Sequence, residues 1–592
     1  MLCRAACRHS PAPCAGLGVV ILAAAALPLF LAIISGLLVA GLYGQSGAER
    51  IGAGGVVSGA VIALGVLFLL QQLLTPLGRA LAETAGRQLG RATADRVMAA
   101  ISAPARLERV DDPHARQLLS AVGASTRGTE CRDAVVGTVN VSIIRGGAAL
   151  SGLVLVAYRW WLGIAMIITY ASMTLIVSRG YQKGLLSAEG APARLRRAMY
   201  LKDLVSTAAA AKEVRVFGLA DWLVGGYQQE WRTAMAGIRR ERGGAGRIGL
   251  VSAAVVLVAQ SATFLLLALD MRDGHLSPGA FTTFAIAATG LLSMNAVTPD
   301  LVSIATGGAV LAAAGDLERW TAQEPSPGVH ATPRSGSIRL DGVGFRYPGS
   351  SEWVLRDLDL TIPAGRSIAI VGVNGAGKTT LVKLLCGLYQ PTEGTILAAG
   401  VDLSDVDPGD WQRRFAALFQ DWVHWGLSVR DNVLLGAPHR IADAGALDRV
   451  ADASGLSGVL AELPDGWDTV LSREFGGTDL SGGQWQRVGL ARALWSLTCD
   501  ADILVLDEPT AALDVRGEAE LFDLLLDVTA DRTVVLISHR FSTVRRADQI
   551  VVLENGRVAE RGSHDALLAA NGKYALMFGR QAERFTSRTV IS

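Results

Sequence analysis

The stretch Gly372-Val373-Asn374-Gly375-Ala376-Gly377-Lys378-Thr379-Thr380 has the spacing G-x-x-x-x-G-K-[ST]. Glycines there let the backbone approach phosphate oxygens, and successive N–H groups at a helix start favour an anion. Lys378 is placed to reach the β- and γ-phosphates of ATP, and the Thr379 hydroxyl to ligand Mg²⁺. The flanks agree. Ser367–Val371 is a short apolar run of strand type, and Leu381–Leu385 opens a helix. A second apolar run, Ile503–Leu506, ends in Asp507-Glu508. Ligands sit at the carboxyl ends of parallel strands. Asp507 therefore suits Mg²⁺, through water, and Glu508 suits general-base work on an attacking water. His539 stands just past the strand-like Thr533–Ile537, which puts it near the γ-phosphate. Gln420 ends the strand-like Phe415–Phe419. Leu480-Ser481-Gly482-Gly483-Gln484 precedes a helix and offers a second anion-binding helix end. One chain has one phosphate loop, so the simplest use of that second end is ATP bound on another subunit.

These residues need a parallel sheet to hold them, and the region 337–592 supplies its strands. It opens with Ile338–Phe345 and Tyr347, which is placed to stack on adenine or, on spacing alone, to serve equally as a core aromatic. It closes with Gln549–Leu553 and Arg557–Ala559 around Asn555-Gly556, the signature of a type I′ hairpin. Prolines at 325, 327 and 333 mark residues 315–336 as an extended linker.

Residues 1–314 have another character. Half of all 592 residues are hydrophobic, and the mean hydropathy is +0.35. That pairs a membrane part with a soluble part. A net charge of +1 argues against nucleic acid as a partner. The six cysteines are scattered without CxxC spacing, which fits reduced thiols. Six apolar runs are long enough to cross a bilayer: Leu17–Tyr43, Ile51–Leu74, 137–157, Trp160–Ser178, Ile248–Leu269 and 279–304. The long loops 75–136 and 179–247 hold nearly all the Lys and Arg of this half, whereas the short loops hold only Arg50, Arg159 and Arg272. That bias places the long loops and both termini in the cytoplasm. The long loops carry helical patterning, so they read as extensions of the spans that turn near Val110–Arg116 and Ala211–Gly218. Within the spans, Gln260 and Asn295 either bond between helices or line a cavity. Arg145 either faces a substrate cavity or sits in a wet vestibule. No acidic residue is expected mid-span.

The order of phosphate loop, Gln420, Leu480–Gln484, Asp507-Glu508 and His539 resembles the nucleotide-binding domain of ABC transporters. Six spans ahead of it resemble a half-size ABC exporter. The resemblance implies a membrane α-helical domain of six helices joined to an α/β P-loop NTPase domain. It also implies a dimer, homodimeric or with a different second half, in the cytoplasmic membrane, and the alanine-, glycine- and arginine-rich usage points to a bacterium. Tyr347 would stack on adenine, and Gln420 would contact Mg²⁺. Ser481 and Gly483, within Ser481–Gln484, would bind the partner's γ-phosphate. Asp514 would lie at the dimer seam, and Ala211–Gly218 would act as a coupling segment. Every family position is filled. No peptidase domain is expected ahead of the first span, so leader cleavage is not expected of this chain. The apolar cavity implies a lipid, drug-like or peptide substrate. An ATP-gated channel or regulatory membrane protein is the alternative.

Overall fold

The computed structural model describes residues 2–589, apart from 44–49, 103–105, 113, 116–117, 120–128, 190–191, 208–209, 296–297, 323–329, 335, 442–443, 510–528, 530 and 539. The chain divides into two compact units, Met1–Ala99 with Leu118–Glu318, and Ala100–Gln117 with Arg319–Ser592.

Among the described residues, six helices are long and apolar enough to cross a membrane. Two of them, Arg50–Ser102 and Ala220–Arg272, run for 53 residues each. At about 1.5 Å per residue, either far exceeds a hydrocarbon core of about 30 Å. The polar halves of these helices are therefore the long loops, folded as continuations of the spans. The second long loop turns at the short helix Ala211–Val216, ended by Gly218 at φ 63°. Small residues set the packing between helices. A Cβ on Gly36 of helix Pro11–Tyr43 would stand 1.8 Å from Thr283 Oγ1 and 2.7 Å from the carbonyl of Gly279. Only glycine lets the helix Pro278–Leu291 come so near.

The sixth span is not one helix. It ends at Leu291, passes through a 3₁₀ turn at Leu292–Asn295, and restarts at Asp300–Thr321. Pro299, lacking an N–H, stands where the ladder is interrupted. Asp300, at the restart, accepts a bond from Asn140 Nδ2 of the third span at 3.4 Å. Asn140 and Asp300 thus form a polar pair close to the end of the run 279–304. The last helix also continues to Thr321, into the stretch read as linker. Gln260 and Asn295 both bond between helices: Tyr170 donates to Gln260 Oε1 at 2.9 Å, and Thr174 to Asn295 Oδ1 at 3.0 Å. Arg159 donates twice to Asp270, at 3.0 and 2.8 Å, and Tyr158 donates to the same carboxylate.

The second unit holds two sheets. One has four strands, ordered Leu355–Ile362, Ile338–Phe345, Glu393–Ala398 and Val401–Asp402, all antiparallel. The other is ordered Arg557–Gly562, Gln549–Glu554, Ser367–Gly372, Thr533–Ile537, Ile503–Asp507 and Phe415–Leu418. Its strands are parallel except for the terminal hairpin. Asn555 and Gly556 sit at φ 49° and 75°, as a type I′ turn demands. Strand Ile503–Asp507 is buried at every position, which is why it reads as an unbroken apolar run. Helices Val429–Leu434, Ala444–Ser454, Leu456–Glu462 and Gly482–Cys499 pack as a helical layer beside the sheet. The segment 100–117 belongs to this unit through the short helix Leu107–Val110. Leu107 N–H donates to the Leu388 carbonyl at 2.8 Å, Gln390 N–H to Glu108 at 3.1 Å, and the Tyr389 hydroxyl to Asp111.

Candidate active site

Strand Ser367–Gly372 delivers the phosphate loop, and helix Lys378–Leu385 leaves it. The turn depends on glycine. Gly377 stands at φ 98°, and a Cβ there would lie 2.6 Å from Leu355 Cδ2. Lys378 is buried, and its Nζ donates to the carbonyls of Gly372 at 2.9 Å and Val373 at 3.1 Å. Desolvation pulls its ammonium below the ordinary lysine value, against the opposing pull of Glu508 and Asp507. Asp507 ends its strand fully buried, and Thr379 Oγ1 donates to its Oδ2 at 3.0 Å. Burial pushes the Asp507 carboxyl up, while the Thr379 bond opposes the shift.

Glu508 follows at φ 51°, a left-handed backbone rare outside glycine, with its N–H bonded to the Ile537 carbonyl at 2.9 Å. Such strain turns the side chain off the strand line and is typical of functional positions. Gln420 Nε2 donates to Glu508 Oε2 at 3.4 Å. The strands of Asp507 and Gln420 are direct parallel neighbours, which brings together residues 88 apart in sequence.

Asn374, Gly375, Gly377, Lys378, Thr379, Thr380, Gln420, Asp507 and Glu508 thus line one cavity of about 440 Å³, with Val354 completing it. Gly372 closes the strand below it, and Ala376 is buried beneath the loop. Tyr347 is not in the lining. Its hydroxyl shares a hydrogen bond with Thr380 Oγ1 at 3.1 Å, and its ring meets Phe345 and Tyr389 edge-on. His539 and Asp514 lie outside the described residues.

Ser481, Gly483 and Gln484 are also absent from that lining. Gly482 instead joins Gln420, Asp507 and Glu508 around a second cavity of about 130 Å³. Ser481 is the N-cap of helix Gly482–Cys499 in a capping box: its hydroxyl accepts from Gln484 N–H, and Gln484 Oε1 accepts from Ser481 N–H. Gln484 Nε2 donates to Glu462 at 3.2 Å. The Gln484 side chain is therefore engaged in holding the helix end. The spacing Ser-x-x-Gln was the available signal for that role.

Residues 355–511 match the ABC transporter family. The second unit thus carries an ABC transporter domain over those residues. The chain is 36% identical over 329 residues to an ATP-dependent lipid A-core flippase of Cupriavidus pinatubonensis, covering 55% of each chain. It is 40% identical over 250 residues to the cyclolysin secretion/processing ATP-binding protein CyaB of Bordetella pertussis, covering 42% of this chain and 34% of that one. The chain spans about half the length of such curated relatives, as with the 51% covered of the flippase of Chromohalobacter salexigens. A solved structure of a bacterial Atm1-family ABC exporter with ATP bound shares the fold, with a TM-score of 0.77 at 24% identity. That likeness covers 96% of this chain and 98% of the other. The chain thus shares the fold of that solved structure, six apolar helices and an α/β nucleotide-binding unit.

Proposed function

We propose that this chain is one half of an ATP-driven exporter of a hydrophobic or amphipathic substrate. The observation that carries the reading is one cavity holding Lys378, Thr379, Gln420, Asp507 and Glu508. Lys378 and the loop amides bind and orient the phosphates, and Glu508 accepts the proton of the attacking water. Thr379 Oγ1, Asp507 and Gln420 offer a set of hard oxygen donors suited to Mg²⁺, which when bound would neutralise charge on the β- and γ-phosphates. His539, on its loop, would meet the γ-phosphate.

The helix end at Ser481–Gln484 lies off that cavity, which supports a composite site: two chains, each supplying Ser481 and Gly483 to the other's ATP, with Asp514 at the seam. The two chains are identical, a reading supported by every family position being filled in this one. The charge bias of the loops supports both termini and the ATP site facing the cytoplasm of a bacterial cell. Flippase and secretion relatives support a lipid or peptide as substrate. Arg145, half-buried on the third span, is the candidate contact for its polar part.

The test is ATP turnover by the chain alone in lipid. Glu508→Gln should keep ATP binding and lower kcat by about 10²–10⁴-fold, the usual share of a general base. Near-normal turnover in that variant refutes the assignment, and solute flux that outlasts ATP refutes the exporter.

A further inference from the structure

Gln420 and the Ser481–Gln484 helix end lie on different elements, and the structure shows a physical link between them. Two and four residues past Gln420 stand Trp422 and His424. One residue past Gln484 stands Trp485. The His424 and Trp485 rings stack face to face, with centroids 4.4 Å apart and planes 3° from parallel. Trp422 meets His424 at 4.7 Å and Trp485 at 6.0 Å, edge-on to both.

The two tryptophan rings are fixed from behind. Trp485 is buried, and its Nε1 donates to Asp479 Oδ1 at 3.3 Å, the same oxygen that accepts from Leu480 N–H. Trp422 lies on Gly489 of the helix, where a Cβ would come within 2.9 Å of its ring. The Arg492 guanidinium stands 5.2 Å from the centre of that ring. Arg492 is held in turn by the carbonyl and the side-chain oxygen of Asn432, both at 2.9 Å. His424 itself is exposed and carries no core load. It shares the second cavity with Gln420, Gly482 and Glu508.

We propose that Trp422, His424 and Trp485 form an aromatic brace that fixes the Ser481–Gln484 helix end relative to Gln420, making His424 a positioning residue for ATP hydrolysis. The inference rests on the hydrolase reading above and deepens it. The brace acts through Trp485, which shares its first helical turn with the capping box, so a rotated ring would rotate the helix end that faces the partner's nucleotide. A role in packing alone gives a different result. Removing an exposed ring costs little stability, since an aromatic pair contributes only about 0.5–1.5 kcal/mol beyond its area.

The experiment uses the full chain in lipid, with Glu508→Gln as the turnover control. His424→Ala should lower kcat by about 10-fold, because small misplacements of reacting groups are costly. The ATP concentration for half-maximal rate should stay within about 2-fold, since an interaction used only in the transition state leaves ground-state binding alone. His424→Phe, which keeps a flat ring, should restore the rate. Unchanged kcat in His424→Ala overturns the proposal, as does a His424→Phe that is equally slow, or a loss that falls on ATP affinity. If the wild-type chain shows no Glu508-dependent turnover, the hydrolase reading has failed instead. Hydrogen exchange at amides 481–486 then decides the brace: His424→Ala must accelerate it and His424→Phe must not. Equal exchange in the two variants overturns the proposal.

Discussion

Replacing Asn432 by alanine should lower the thermal midpoint of the nucleotide-binding unit by about 6–12 °C. Asn432 is fully buried. Its Nδ2 donates to the carbonyls of Trp425 at 3.0 Å, Leu427 at 3.3 Å and Ser428 at 3.0 Å, and its Oδ1 accepts from Arg492 at 2.9 Å. These bonds are unequal. All three carbonyls keep another partner, the N–H groups of Leu427, Leu471 and Asn432 respectively. Each of those losses is therefore about 0.5 kcal/mol, the low end for a neutral bond. Arg492 is the costly partner. Burial already pulls its guanidinium down to about 10, so a lost acceptor leaves a poorly solvated cation. A charge-assisted bond contributes about 1.5–3 kcal/mol. Arg492 keeps the Asn432 carbonyl at 2.9 Å, so the low end of that range applies; the sum is about 3 kcal/mol, and a domain of this size loses about 2–4 °C per kcal/mol. The assay is loss of binding of a fluorescent ATP analogue on heating the purified full-length chain. Only midpoints are compared, because two units need not unfold together. Exposed Arg473→Ala is the control and should shift the midpoint by less than about 2 °C. An equally small shift for Asn432→Ala refutes the reasoning that the guanidinium depends on this side chain.

Gly36→Leu should prevent helix Pro11–Tyr43 from seating on Pro278–Leu291, because Thr283 Oγ1 and the Gly279 carbonyl occupy the space. Loss of monodisperse protein on gel filtration checks this, whereas Gly18→Leu, with nothing within 4 Å, should behave as wild type. Asp500 accepts from Arg440 and, at 2.6 Å, from His439, and these bonds bring its carboxyl down to about 2. A lowered carboxyl stabilises above its unfolded value near 4, and that contribution disappears as pH falls from there toward 2. Asp500→Asn should thus cost under about 1 kcal/mol at pH 7, as expected for a surface pair, and only a small part of that at pH 2. A penalty undiminished at pH 2 in denaturation would contradict the ion-pair account.

What the sequence determined by itself is what short-range pattern encodes. The phosphate loop, the acidic tip at Asp507-Glu508 and the Asn555-Gly556 turn are each set by a few adjacent residues, so type and spacing alone define them. The spans were legible because about 20 apolar residues have few fates other than a bilayer. Tertiary structure decided whatever joins distant residues or breaks a local rule. In the apolar run 279–304 Pro299 marks the break locally, but the pairing of Asp300 with Asn140 on another helix lies beyond any local pattern. Helix Leu107–Val110 joins the second unit through bonds to residues about 280 positions away, beyond the reach of any periodicity. Tyr347 meets Thr380, Phe345 and Tyr389, and only the fold brings Thr380 and Tyr389 to it. Gln420 reaches Glu508 only because two strands far apart in sequence are neighbours in one sheet. The chain states its chemistry locally, and long-range pairing decides which of those groups share a cavity.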